Sequence, residues 1–310
     1  MRGMQRNAGI LIGLVVVVVA IIIGFLIFSS SEAPPASSPS PEASASAEPS
    51  TSLNEELLNR RWTVLYVGTD LNATREAEGS GPNTDALMLA SLSADQSQLT
   101  LVSLPRDTVD VPLADGGTWS EKINSLYNAR GIDELVGAME TLYGVPIDAH
   151  LVLDMDDFAG LVEAAGGVEV SPPAPIIDPI VHLDLPAGDQ QLDGQQTLGY
   201  VRTRIDEDYG RMGRQQEVSV ALVRKLVDPE TDLDLQEVID SLESLETNLP
   251  LKELPTLVEL ARRASEAEVH NLLIRPPLIT FEGDRGDGRG YILEADVEAI
   301  RSEVQALIGD

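Results

Sequence analysis

The sequence predicts an α/β fold: a central mixed β-sheet sandwiched by helices, preceded by one transmembrane helix and a disordered linker. Three observations carry that reading. Short apolar runs alternate with stretches of helical periodicity from Trp62 onward, the pattern of layered α/β domains. Two of the runs, residues 86–92 and 98–104, are separated only by Ser93-Ala-Asp-Gln-Ser97, so they pair as an antiparallel hairpin inside the sheet. Ahead of them, residues 8–28 form an apolar run without a charge, and its length of about 21 residues suffices to span a bilayer as a helix.

Arg2 and Arg6 precede that run and Glu32 is the first charge after it. The positive-inside bias therefore places the N-terminus in the cytoplasm and everything after residue 28 outside. The run is long for the apolar region of a cleaved signal peptide, the alternative reading, and lacks a small-x-small site at its end. Residues 29–60 are assigned to a linker. Up to about residue 52 they are nearly all Ser, Pro, Ala and Glu, a composition that cannot bury a core and that extends at most about 3.1 Å per residue. The extracytoplasmic domain is assigned to residues 61–310.

Within it, Trp62-Thr-Val-Leu-Tyr-Val-Gly68 reads as a buried strand. A polar loop over 70–82 leads to the hairpin. Lys122 and Asn124 stand at the start of a helical stretch, and 132–143 is an amphipathic helix with Leu135, Met139 and Leu142 on one stripe. A strand over 149–153 follows, then a helix over 156–165 that Asp154 can cap and Gly166-Gly167 stops. Val168-Glu-Val170 is a further strand, and 171–186 is proline-rich and reads as irregular. Asp193-Gly194 introduces a short helix, after which Val201 and Thr203 alternate with Arg202 and Arg204 as in a strand. Residues 210–227 form a long helix with Val218, Ala221, Leu222 and Lys225 inward. Acidic helices are expected near 235–245 and 251–264, then a closing strand–turn–strand around the glycine-rich stretch 283–290, and a last helix over 295–307.

Composition excludes some functions. Asp and Glu number 51 against 21 Lys and Arg, for a net charge of -30, which speaks against nucleic-acid binding and against a DNA-binding regulator. There is no cysteine, hence no disulfide and no thiol chemistry. His150, His182 and His270 are scattered without metal-ligand spacing. The chain has no Walker A loop, nucleophile elbow or His-Glu-x-x-His motif.

Against that acidic background, Thr197-Leu-Gly-Tyr-Val-Arg-Thr-Arg204 and Asp208-Tyr-Gly-Arg-Met-Gly-Arg-Gln215 gather four arginines. On a strand Arg202 and Arg204 would share a face; on a helix Arg211, Arg214 and Gln215 would do the same. Guanidinium forks match phosphate oxygens, so the cluster predicts an anion site. The hairpin supplies a second constellation. Its pairing brings Asp85, before the first strand, close to Asp107, after the second. Two adjacent carboxylates beside Arg106 suit Mg²⁺, which takes one or two carboxylates plus phosphate oxygens and waters.

The ordered motifs Asn-Thr-Asp85-Ala, Ser-Leu-Pro-Arg106-Asp107-Thr, Lys122-Ile-Asn, Ala-Gly-Gly167-Val, Leu-x-Gly194, Tyr-Val-Arg202-Thr-Arg204, and Asp208 through Arg211 to Arg214-Gln215-Gln resemble the LytR-CpsA-Psr family over roughly residues 62–227. The resemblance implies a membrane-anchored phosphotransferase. Such an enzyme moves a glycopolymer from a polyprenyl-pyrophosphate carrier to a peptidoglycan acceptor and forms a phosphodiester. By motif, Asp85 and Asp107 would hold Mg²⁺, with Mn²⁺ as a substitute. Arg106, Lys122, Arg202, Arg204, Arg211, Arg214 and Gln215 would cradle the pyrophosphate. Arg106, Arg202 and Arg204 would act in catalysis, with Asp208 as the candidate general base. One departure stands out: the family commonly has arginine where this chain has Asn83. That leaves a polyprenyl-pyrophosphate-binding or scaffold protein, or a hydrolase of the same donor, as alternatives.

Overall fold

The computed structural model describes residues 53–70, 81–241 and 245–309. The expected span over 8–28, residues 29–52 of the expected linker and most of the expected loop over 70–82 lie outside them. Among the described residues no helix is long and apolar enough to cross a membrane.

A helix lies within the stretch expected as linker, before residue 61. Helix α1 (Glu55–Leu58) is capped by the Asn54 side chain, which accepts from the Glu56 and Leu57 N–H groups. The Asn54 N–H in turn donates to Thr256 Oγ1 at 2.8 Å, and Leu58 is buried. Composition assigned these residues to the linker because two leucines in an acidic stretch give no sign of the distant surface they dock on.

Strands β1 (Trp62–Thr69), β2 (Thr84–Leu92) and β3 (Gln98–Ser103) form an antiparallel meander. Short strands β4 (Thr108–Val109), β5 (Val111–Pro112) and β6 (Thr118–Trp119) follow. A 3₁₀ turn (Ile123–Ser125), α2 (Leu126–Arg130) and α3 (Ile132–Tyr143) then cross over to β7 (Ala149–Asp154), parallel to β1. Asp154 caps α4 (Met155–Ala164) through the Asp156 N–H, as expected from the sequence. Gly166 and Gly167 end that helix with positive φ, where only glycine is unstrained.

Beyond them, β8 (Val168–Val170) leads to β9 (Ile176–Asp178) and β10 (Leu183–Leu185). These two pair as a hairpin where proline content suggested irregular chain. Strand β11 (Gln190–Leu192) returns to β8. Helix α5 (Gly194–Arg202) and helix α6 (Glu207–Val227) carry the arginine motifs. On α6, Val218 and Leu222 are buried as expected, whereas Ala221 and Lys225 are only half-buried. Helix α7 (Leu235–Asp240), β12 (Glu246–Thr247), α8 (Leu254–Glu266), β13 (Glu268–Leu273), the hairpin β14 (Ile279–Asp284) with β15 (Tyr291–Ala295), and α9 (Val297–Ile308) complete the chain. Helix α7 ends at Asp240, before the expected 245, and α8 is displaced from the expected 251–264, because residues 251–253 form a 3₁₀ turn before it.

The main sheet has the order β12-β7-β1-β2-β3-β13 and is mixed, since β1–β7 and β3–β13 are parallel while the other pairs are antiparallel. Every residue of β1 is buried. Strand alternation sends Trp62, Val64 and Tyr66 to one side, where they meet Phe158 and Leu161 of α4 and Val218 and Leu222 of α6. Leu65 and Val67 face the other way, onto Leu135 and Met139 of α3 and Ile300 and Val304 of α9. Helices therefore cover both faces, as the sequence predicts. The sheet directs the ends of β1, β3, β7 and β13 and the start of β2 to one common edge, the place where open α/β sheets hold ligands.

Candidate functional site

The β2–β3 pairing sets the first half of the site. Leu104 N–H donates to Leu87 C=O at 3.1 Å, so Asp85 and the turn after β3 meet at that edge. Pro105 starts the turn; its carbonyl accepts from the Thr108 N–H and from Thr108 Oγ1. The Arg106 and Asp107 carbonyls are fixed by the N–H groups of Asn124 and Leu293, each at 3.1 Å. With the backbone held, the Arg106 guanidinium lies between two carboxylates. Its Nη1 donates to Asp85 Oδ1, and its Nε lies 3.9 Å from Asp107 Oδ2. Lys122 Nζ reaches Asp107 Oδ1 at 3.0 Å. All four expected residues are thus contiguous.

The second half comes from α5 and α6, and here the expected arginine strand is corrected. An Asp193–Gln196 capping box starts α5, and the buried Tyr200 and Val201 continue it, so Arg202 is the last helical residue instead of a strand residue. Arg202 and Arg204 do not share a strand face. Arg202 Nη1 lies 3.9 Å from Asp156 Oδ1 at the start of α4, whereas Arg204 Nε lies 3.8 Å from Asp208 Oδ1. Arg211, only 2 % exposed, places Nη2 at 2.7 Å from the same Asp208 oxygen.

Arg214 and Gln215 share the expected helix but are occupied differently. Arg214 donates through Nε to the Tyr200 carbonyl at 2.8 Å, through Nη2 to the Thr203 carbonyl, and through Nη1 to both Asp206 oxygens at 2.8 and 2.7 Å. Gln215 Nε2 donates to the Val201 carbonyl at 3.3 Å. Helical spacing gave their face correctly. It could not show that the carbonyls ending α5 would take their donors, which makes Arg214 a brace for the α5–α6 turn.

The electrostatics of the two halves are joined at Arg211. Burial pulls its pKa down and Asp208 opposes that; the charges of Arg106 and Arg204 lower it further, and Asp85 raises it. Three guanidinium groups therefore crowd one another, and an anion among them relieves the repulsion. Buried polar atoms there also lack hydrogen-bond partners: Arg106 Nε, Arg211 Nε and both carboxylate oxygens of Asp208. The short Asp208–Arg211 contact is an ion pair whose N–H is not aimed at the oxygen. Buried groups left this way are uncommon and call for a role beyond packing.

Asp85 and Asp107 are the side chains that a divalent cation would use at this edge, in place of part of their present pairing with Arg106 and Lys122. Asp85 and Asp107 offer two carboxylates on either side of one guanidinium. Among the described residues no group of three or more His, Asp or Glu side chains assembles, and Mg²⁺ does not need one where phosphate oxygens complete its shell. Asn83, the departure from the family pattern, is tied to the loop: its N–H donates to Asp70 Oδ1 at 2.7 Å and its carbonyl accepts from the Asp70 N–H at 3.0 Å.

Sequence reasoning saw Asp154 only as a helix cap. It is the last residue of β7, buried at the same sheet edge, and burial above all pushes its carboxyl pKa up to about 6. Neighbouring Asp156 and Asp157 push the same way, and Arg202 together with the Asp156 N–H opposes them. The available signal was its position at the carboxyl end of an apolar strand. Tyr209 and Tyr291, on the rim beside Asp208 and Asp107, carried no local signal at all.

Comparison with known proteins places this geometry. Residues 28–300 match the LytR_cpsA_psr family. The polyisoprenyl-teichoic acid–peptidoglycan teichoic acid transferase TagV of Bacillus subtilis (strain 168) is 26% identical over 263 residues, 81% of this chain and 65% of that protein. The probable cell wall biosynthesis protein LcpB of Corynebacterium glutamicum is 37% identical over 154 residues, 49% of this chain and 36% of that one. The chain thus spans less than two thirds of the length of either relative. The crystal structure of B. subtilis TagV superposes with a TM-score of 0.63 at 25% identity, covering 81% of this chain and 98% of that chain.

Proposed function

Because the chain belongs to the LytR-CpsA-Psr family, we propose that it is a membrane-anchored phosphotransferase. It moves a glycopolymer from a polyprenyl-pyrophosphate carrier to peptidoglycan outside the cytoplasmic membrane. The similarity to TagV, named for transfer of polyisoprenyl-linked teichoic acid to peptidoglycan, supports the reaction class. The observation that carries the reading is the convergence at one sheet edge of Arg106, held between Asp85 and Asp107, with Arg204 and Arg211, which meet at Asp208. That arrangement is unfavourable alone and suited to a diphosphate.

In the proposed reaction an acceptor hydroxyl forms an O–P bond with the sugar-side phosphorus, and the bond to the bridging oxygen breaks to release polyprenyl phosphate. Arg106, Arg204 and Arg211 bind the phosphoryl oxygens and hold the charge that moves to the leaving group. Lys122 keeps Asp107 in place. Arg202 flanks the site from the α4 side. Asp208 is the proposed proton acceptor, since neither of its oxygens accepts a hydrogen bond. Asp85 and Asp107 would hold Mg²⁺ or Mn²⁺, which when bound neutralises phosphate charge. The brace at Arg214 and Gln215 fixes the turn that carries Arg204.

A second reading is a polyprenyl-pyrophosphate-binding protein without turnover. Asn83, one cation short of the family pattern, favours it. The full chain in lipid vesicles, given lipid-linked donor and a peptidoglycan fragment, separates the two. Transfer that disappears in Arg202→Ala with the fold intact supports the transferase. Donor binding without transfer or hydrolysis in the unaltered chain would leave the binding protein.

A further inference from the structure

The β14–β15 hairpin stands directly against the anion site. Strand β15 runs parallel to β4, with Leu293 opposite Thr108, and the Leu293 N–H donates to the Asp107 carbonyl. Within the hairpin, Glu282 lies opposite Leu293 and Asp284 opposite Tyr291. Cross-strand partners and residues two apart share a face, so Glu282, Asp284 and Tyr291 belong to one side. Phe281 and Glu294 lie on the other, where Arg285 stacks on the Phe281 ring at 3.5 Å and pairs with Glu294. From α6, Tyr209 donates its hydroxyl to Glu282, and Tyr209 directly follows Asp208 in the chain.

A wall with two phenol rings and a carboxylate therefore joins the Asp107 side of the site to the Asp208 side. Tyr291 is 54% exposed, so its ring contributes little to the core. Burial, and then the charges of Glu282, Glu207 and Asp107, push the pKa of its phenol up; burial and the hydrogen bond to Glu282 do the same at Tyr209. This surface is acidic and would repel phosphate. It suits a neutral polyhydroxyl ring whose C–H face rests on an aromatic ring while its hydroxyls donate to carboxylates.

We propose that Tyr209, Glu282 and Tyr291 form a sugar subsite that seats a pyranose ring beside the reacting phosphorus. The inference rests on the transferase reading for its setting. Two substrates carry such a ring there: the donor, through its first sugar, and the peptidoglycan acceptor.

The test is calorimetric binding to the full chain in detergent, with three probes: polyprenyl pyrophosphate, the same lipid bearing one sugar on its diphosphate, and a short peptidoglycan fragment. In Tyr291→Ala, affinity for one sugar-bearing probe falls about tenfold or more, while bare polyprenyl pyrophosphate binds as before. Tyr291→Phe keeps the ring and stays within about twofold of the unaltered chain. Loss confined to the fragment assigns the subsite to the acceptor, and loss confined to the sugar-bearing lipid assigns it to the donor. Glu282→Gln reports the hydroxyl contacts in the same way. Unchanged binding of all three probes by both Tyr291→Ala and Glu282→Gln would overturn the inference, as would failure of the unaltered chain to bind either sugar-bearing probe. A chain that binds sugar at this wall but transfers nothing would sink the transferase reading and leave the subsite standing.

Discussion

Replacing Arg214 separates a brace from a ligand. The family pattern groups this arginine with the phosphate-binding cations, whereas the structure gives its donors to two backbone carbonyls and the Asp206 carboxylate. In Arg214→Ala the Tyr200 and Thr203 carbonyls lose a charged donor in a buried setting, at about 1.5 kcal/mol each. The Asp206 side chain is 52% exposed, so its ion pair adds less than about 1 kcal/mol. The sum is about 3 to 4 kcal/mol, and a domain of this size loses about 2–4 °C in Tm per kcal/mol. Differential scanning fluorimetry on the full chain in detergent should therefore show a fall of about 10 °C. Arg214→Lys, whose single amine reaches only some of these acceptors, should fall about half as far. A Tm unchanged within about 2 °C, together with lost affinity for polyprenyl pyrophosphate, would refute the brace and return Arg214 to the anion site.

Three further outcomes are expected. Gly167→Ala should lower stability by about 3 kcal/mol by chemical denaturation, because φ is +86° and an added Cβ would lie 2.4 Å from the Leu192 carbonyl oxygen; a loss below about 1 kcal/mol would contradict that close approach. Asp154 has a folded pKa raised to about 6 from 3.8, so the folded state holds its proton to higher pH than the unfolded chain. That contribution is present at acid pH and lost as pH rises through about 6. The unaltered chain should gain about 1 kcal/mol between pH 7.5 and 5 relative to Asp154→Asn, which keeps the helix cap. Equal pH dependence in the two proteins would show that Asp154 titrates normally. Finally, chelation of divalent ions should weaken polyprenyl pyrophosphate binding about tenfold or more, and Mg²⁺ or Mn²⁺ should restore it in the unaltered chain but not in Asp107→Asn; affinity indifferent to chelation would remove the metal from the proposal.

Local signals explain which parts of the fold were legible. Helix α3 was readable to the residue because Gly131 and Gly144 bound an apolar stripe. The β2–β3 hairpin followed from a five-residue separator, and with it the meeting of Asp85, Arg106 and Asp107, since antiparallel pairing converts sequence order into proximity. The Val201–Arg204 stretch misled because two arginines spaced two apart, with Val201 and Thr203 alternating with them, imitate one face of a strand. The capping box at Asp193 and Gln196 had already committed the chain to a helix. Strand β13 went unrecognised because its half-buried residues at a sheet edge show no clean alternation. The roles of Arg214 and Asp154 depend on which carbonyls and faces arrive from elsewhere in the chain. No spacing rule contains that information.

The position of β13 has a temporal consequence. Its partner β3 is made some 170 residues earlier, as the register of Glu268 with Gln98 shows. The strand leading into the Arg106 turn thus waits with one edge bare until nearly the whole polypeptide has emerged. Such distant closure slows assembly and exposes a template for wrong pairing meanwhile. A chain cut short before residue 268 would keep every charged residue of the anion site in its sequence, yet lack the neighbour that closes that border of the sheet.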